Sequence, residues 1–231
     1  MLLDDSAAVV RSALADALAL VLPVVCAGCG IPDSSLCDAC IAALEPQPVR
    51  RVLDAPGGEV VLWSGLSFEG IAARVVRAIK EDGRTPLARR LAPGMREAFA
   101  RLDAGDAVVV PMPTSRASYR RRGVRVPDLL AQRARLPVAR LLRHARRTGD
   151  QRGLDRNARR DNVAHSLMAT SAAGRRVVVL DDVATTGASL EEAVRALRAA
   201  GAVVLGAVTA AATPRHMNGR RPPGVAFETH R

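Results

Sequence analysis

Aromatic side chains and lysine are both scarce in this chain of 231 residues. It holds one Trp, one Tyr and three Phe, and Lys80 is the single lysine among 34 basic residues. With so few rings, Val, Leu and Ala must fill the core, and a nucleic-acid platform of stacked aromatic side chains is poorly supported. The missing lysines read as an Arg-for-Lys bias of genomic base composition. A lysine kept against that bias marks either a position that needs a compact ammonium or chance survival. Long apolar runs are absent too: residues 13–25 are broken by Asp16 and stopped by Pro23, too short and too polar to span a bilayer. The opening "MLLDDSAAVV" puts two acids where a secretory leader carries basic residues, so the expected location is cytoplasmic. Val10, Leu14, Leu18 and Val21 instead recur at helical spacing and predict an amphipathic helix over residues 6–22. No repeat, Walker A loop, dinucleotide glycine fingerprint or Ser-His-Asp arrangement is visible, and His144 and His165 carry no pattern that assigns them a catalytic role.

What is present is unevenly placed. The formal charge is +11, and residues 116–160 hold fifteen Arg against three Asp, leaving the rest of the chain at −1. Such a concentration speaks to partners, with phosphate-rich ligands the natural ones. Within it, residues 146–162 ("RRTGDQRGLDRNARRDN") contain almost nothing apolar to bury. They predict a mobile lid that brings arginines over an anionic ligand, or else a solvated basic loop that never closes.

All four cysteines lie within fifteen residues, as "CAGC" (Cys26, Cys29) and "CDAC" (Cys37, Cys40). Two C-x-x-C knuckles offer four thiolates to one tetrahedral metal, so a structural zinc site is expected. A disulfide pair, disfavoured by the lack of a leader, and a redox C-x-x-C are the alternatives. Residues 45–56 carry three prolines and read as a linker, dividing the chain into an N-terminal helix with its zinc module (1–50) and a main domain (51–231).

In the main domain, short apolar strands at 59–65, 107–113, 177–181 and 202–208 alternate with helical patterns at 68–83, 87–101 and 189–200, while 126–144 has room for one or two helices. That alternation predicts an α/β fold with a parallel sheet flanked by helices, and ligands at the carboxyl ends of its strands. Ser189 and Glu192 fit a capping box for the last helix, and Gly201 its end.

The richest stretch is 177–189, "VVVLDDVATTGAS". A β-branched strand ends at adjacent carboxylates, Asp181 and Asp182, and a turn of small hydroxyl residues with Gly187 leads into a helix. Backbone N–H groups at such a turn form an anion site, and carboxylates at its mouth can hold sugar hydroxyls or a bridging metal. A phosphorylated sugar is the ligand this combination points to.

The stretch resembles the phosphoribosyl pyrophosphate (PRPP) motif of type I phosphoribosyltransferases, and the chain along nearly its full length resembles the ComF/GntX proteins linked to DNA uptake. The shared features are the four-cysteine module, a helix ending at Lys80, the Pro111-Met112-Pro113 turn, and Arg122-Gly123. A polar segment matching Thr148, Gln151, Leu154, Arg159 and Asn162 follows. The resemblance implies a type I phosphoribosyltransferase fold with magnesium as cofactor. It implies that Asp181 and Asp182 face the ribose, that Val183, Ala184, Thr185, Thr186, Gly187, Ala188 and Ser189 wrap the 5′-phosphate, and that Pro111, Met112, Pro113, Thr114 and Arg116 take pyrophosphate. Lys80, Thr148, Gln151, Arg159 and Asn162 are grouped with the lid. Where the family often reads Arg-Gly-Phe-Asn-Gln, this chain has "RGVRVP", and Thr185 stands where some purine salvage enzymes carry Asp, which argues against 6-oxopurine chemistry. Two functions follow as expectations: a magnesium-dependent transferase acting on PRPP, or an accessory protein in DNA uptake or repair that contacts single-stranded DNA or a helicase through its basic segment.

Overall fold

The computed structural model describes residues 24–145 and 165–214; the helix expected over 6–22 and the lid segment expected at 146–162 lie outside them. The described strands are β1 (Val49–Ala55), β2 (Gly58–Ser67), β3 (Val108–Pro111), β4 (Leu142–His144), β5 (Leu167–Ala169), β6 (Arg176–Ala184) and β7 (Val203–Ala212). The α-helices are α1 (Asp38–Ala42), α2 (Gly70–Lys80), α3 (Ala88–Ala100), α4 (Arg116–Arg122), α5 (Val126–Arg133) and α6 (Ala188–Ala199). Five strands form one sheet in the order β1-β2-β7-β6-β3, all neighbours parallel except the β1–β2 hairpin. The chain is thus mixed α/β around a mostly parallel sheet, as its alternating pattern predicts.

β6 shows why that sheet is stable. Val177, Val178, Val179 and Leu180 have no exposed surface, and they alternate between two cores. Val178 and Leu180 pack with α2, α3 and α5, while Val177 and Val179 pack with α6 and Leu53 of β1. A strand buried on both faces has no use for polar alternation, hence its continuous β-branched run. α3 crosses β2 at backbone contact: a Cβ on Gly65 would stand 2.5 Å from the Gly94 carbonyl carbon. The four-cysteine segment joins the first core through Cys26, Leu36, Cys40 and Leu44, alongside Val75 and Ile79 of α2. Among the described residues, no helix is long and apolar enough to cross a membrane.

One expectation needs correction. Residues 45–56 do not form a linker, because 49–55 are strand β1, paired along their whole length with β2. Arg51, Leu53 and Ala55 alternate inward, and Pro46, Pro48 and Pro56 flank the strand without interrupting it. In 126–144, where one or two helices are expected, α5 is the one helix. Residues 137–139 lie along β3, with Val109 N–H donating to the Pro137 carbonyl at 2.7 Å and Ala139 N–H to that of Val109 at 2.9 Å, and the apolar pair Leu141 and Leu142 leads into β4.

Candidate functional site

β6 carries its carboxylates to the end of the sheet and delivers the chain into the turn 185–187, after which α6 begins at Ala188. Gly187 adopts φ 96°, and a side chain there would also strike Leu53 Cδ2 at 2.7 Å, so this position requires glycine on two counts. Thr185, Thr186 and Ser189 are exposed while Gly187 is buried, which leaves the hydroxyls facing outward around a small concavity of about 40 Å³. Its lining includes Asp181, Thr185, Thr186, Gly187 and Ser189. A hollow of that size beside a helix N-terminus suits a single tetrahedral anion and is far too small for a heterocycle.

Both carboxylates stay close to protein donors. Asp182 is buried, and its Oδ1 accepts from Lys80 Nζ at 3.0 Å; Asp181 Oδ1 accepts from the Asp182 backbone N–H at 2.8 Å. Burial, and after it the charge of Asp182, push the Asp181 carboxyl up to about 8, against that hydrogen bond and the Lys80 charge. One ammonium does not fully offset two adjacent carboxylates, so the pair is suited to a further cation. Lys80 is the last residue of α2 and points at Asp182, which places it on the rigid scaffold under the carboxylates and not in a lid.

The next strand ends beside them. β3 pairs with β6 so that Pro111 lies opposite Leu180, and Met112 N–H donates to the Leu180 carbonyl at 2.8 Å. From this end, Pro111, Met112, Pro113, Thr114 and Arg116 line an open cavity of about 820 Å³, with Arg143 and His144 of β4 across it. His144 Nε2 lies 3.0 Å from the Pro113 carbonyl, fixing β4 against this loop. The cavity has four arginines on its walls (Arg116, Arg125, Arg140 and Arg143), although Arg140 is paired with Asp128 at 2.6 Å. Two concavities therefore open at the carboxyl ends of neighbouring strands, a small one rimmed by hydroxyls and carboxylates and a large one walled by arginine. Thr148, Gln151, Arg159 and Asn162 lie outside the described residues.

The cysteines converge as their spacing predicts. All four are free thiols, and their sulfurs lie within 4.8 Å of one another. Cys26–Cys37 and Cys29–Cys37 Sγ–Sγ distances are both 3.7 Å, far beyond a disulfide bond. Metal–sulfur bonds of about 2.3 Å in a tetrahedron give edges of about 3.8 Å, so the cluster has the dimensions of a structural zinc site. Burial alone would raise the Cys26 thiol, yet N–H donors from Cys37 and Gly28 help bring it down to about 6; burial and the neighbouring thiols push Cys40 up to about 12. Four sulfurs this close together are the donor set that a divalent metal such as zinc takes.

The capping box is corrected by the structure. α6 is capped at Gly187 without a side-chain hydrogen bond, and Glu192 is turned away from the helix start. Its carboxylate accepts from Leu167 N–H at 3.0 Å and from Arg195 Nε and Nη2 at 2.7 and 2.9 Å, while Arg195 Nη2 also donates to the Leu167 carbonyl. Burial opposes ionisation of Glu192, but Arg195 and the Leu167 N–H hold it below the usual carboxylate range. The pair pins β5 to α6. Sequence reasoning also missed Arg51, whose Nη1 donates to the Thr185 carbonyl at 3.2 Å from beneath the turn. The alternation of "VRRVLDA" is the signal that could have found it.

No curated protein sequence matches the chain. Among solved structures, the chain is similar to the allosteric regulatory enzyme of purine biosynthesis (20% identity, 69% of this chain and 34% of that one, TM-score 0.35). It is similar also to the UMP synthase of Leishmania donovani (17%, 74% and 29%, TM-score 0.34) and to the adenine phosphoribosyltransferase of Rhodothermus marinus (20%, 74% and 85%, TM-score 0.35). It spans about a third of the length of the first two. Residues 118–223, which include β6, the turn 185–187 and α6 and make up a little under half of the chain, match the model of the phosphoribosyl transferase domain.

Proposed function

We propose that this protein binds PRPP with magnesium and transfers its phosphoribosyl group to an acceptor with release of pyrophosphate, as a ComF-like member of that group. The observation that carries the reading is the junction of β6, the turn and α6 beside the end of β3: a hydroxyl-lined hollow for one phosphate, two carboxylates and an arginine-walled cavity follow one another along the strand ends. In this reading the 5′-phosphate occupies the turn 184–189, Asp181 and Asp182 hold the ribose hydroxyls, and the residues 111–116 receive the pyrophosphate. The carboxylate oxygens suit magnesium, a hard cation, which when bound would neutralise the departing polyanion. As the acceptor attacks the anomeric carbon, the bond to pyrophosphate breaks with its electron pair on the leaving oxygen. Fixed arginine and N–H donors at the strand ends then stabilise the charge that develops. Lys80 pairs with Asp182 and orients it for this task. Zinc at Cys26, Cys29, Cys37 and Cys40 has a structural role in this reading.

The arginine-walled cavity also favours a second reading, in which the protein is an accessory to DNA uptake or repair and the cavity follows a phosphodiester backbone. Calorimetric titration separates the two. PRPP with magnesium binds and single-stranded DNA does not under the first reading; DNA binding with a steep salt dependence, and no PRPP binding, selects the second.

A further inference from the structure

β1 enters the site from the opposite end of the sequence. It is the edge strand, antiparallel to β2, yet it passes under the turn between β6 and α6, where Leu53 fills the space beneath Gly187. Two residues earlier on the same face stands Arg51, 8% exposed, one of the few charged side chains buried in the described protein. A buried guanidinium is costly unless its hydrogen bonds are made, so its position is informative. One of those bonds reaches the main chain of the turn, from Nη1 to the Thr185 carbonyl oxygen at 3.2 Å.

The direction of that bond has a consequence for the anion site. In a planar trans peptide the C=O and the N–H of the same unit point in opposite directions. The carbonyl of Thr185 belongs to the same unit as the N–H of Thr186. Holding the carbonyl inward on Arg51 therefore turns the Thr186 N–H outward, to the side on which the exposed Thr185 and Thr186 side chains rim the small hollow. Without the guanidinium, a turn of small residues could rotate this peptide and withdraw the donor. Gly187, at φ 96° and hard against Leu53, fixes the next unit along.

We propose that Arg51 is a positioning residue for the phosphate turn: from β1 it locks the 185–186 peptide so that the Thr186 N–H is presented to the 5′-phosphate of the ligand. The role rests on the phosphoribosyl reading of the site. It makes the N-terminal hairpin part of the binding machinery, although the family match begins only at residue 118.

The test uses the full chain and three probes: ribose 5-phosphate, PRPP with magnesium, and inorganic pyrophosphate with magnesium. Titrations are run by calorimetry on wild type, Arg51→Met and Arg51→Lys, each first checked for a cooperative melt. The amide resonance of Thr186 is followed by NMR on a 15N-labelled sample. In wild type, ribose 5-phosphate shifts that resonance strongly downfield. Arg51→Met weakens ribose 5-phosphate and PRPP by the same factor, on the order of tenfold or more, and abolishes the Thr186 shift, while pyrophosphate binding is unchanged. Arg51→Lys, which keeps one charged donor, recovers part of both effects. Should Arg51→Met fold too poorly to titrate, Arg51→Lys and the Thr186 shift decide alone: wild-type affinity with an altered Thr186 resonance, or the reverse, overturns the role. Wild-type-like ribose 5-phosphate affinity in Arg51→Met overturns it as well. Failure of wild type to bind either sugar phosphate removes the phosphoribosyl reading itself, and the positioning role with it.

Discussion

Asp181 carries the sharpest consequence at the scale of single residues. Its carboxyl, pushed up to about 8 by burial and by Asp182, holds a proton that the unfolded chain gives up near pH 4. Between those values the folded state binds more protons than the unfolded one, so the contribution of Asp181 is fully present at low pH and is lost as pH rises towards 8. Asp181→Asn, which mimics the protonated form, should therefore raise the melting temperature of the metal-free protein at pH 8.5 and leave it nearly unchanged at pH 4. Thermal melts of both proteins across that range check the sign; a variant that gains most at acid pH contradicts it. Lys80 belongs to the same local balance. Its ammonium is the charge that faces Asp182, which gives a physical reason for one lysine in a chain that otherwise uses arginine throughout.

At the scale of elements, the sheet and its crossing helix make a prediction that separates two glycines. A Cβ on Gly65 meets the backbone of Gly94 at 2.5 Å, whereas a Cβ on Gly94 meets Gly65 Cα at 3.3 Å. Backbone cannot yield as a side chain can, so Gly65→Ala should cost about 3 kcal/mol in urea unfolding. Gly94→Ala, relieved by the helix propensity of Ala inside α3, should stay within about 1 kcal/mol of wild type. Equal losses would mean that the contact is not what sets the spacing of α3 from β2. Elements are also where the sequence was most and least legible. The continuous Val-Val-Val-Leu run announced β6 because burial on both faces leaves one chemical solution. The paired acids, the hydroxyl turn and Gly187 announced the hollow because each residue type there is dictated locally. β1 was hidden by its flanking prolines, and the strand at 142–144 by a short apolar pair that fits a helix equally well. Glu192 fitted a local capping pattern and was drawn instead to Arg195, one turn on in the same helix, and to Leu167, which only the tertiary fold brings beside it. Alternation along "VRRVLDA" marks Arg51 as inward-facing, but its partner was illegible, because 134 positions separate it from the carbonyl it holds.

The molecule as a whole ties its four-cysteine cluster to its carboxylate pair. Cys26, Leu36, Cys40 and Leu44 share a core with α2, and α2 ends in the lysine that pairs with Asp182. With zinc held by the cysteines as proposed, its removal should therefore act beyond the knuckles. A strong chelator should lower the midpoint of one common thermal transition by more than about 5 °C, with zinc released in proportion; a chelator-insensitive melt would show that the module does not support the core. Sheet topology supplies the remaining link, since β3 and β6 lie side by side and open their two concavities at the same end. The claim that these concavities together form a phosphoribosyl site is tested most directly by calorimetric titration of PRPP with magnesium into wild type and the double variant Asp181→Asn/Asp182→Asn. The account predicts saturable one-to-one binding to wild type and a loss of at least about a hundredfold in the variant. No binding to wild type, or equal binding to both proteins, would contradict it.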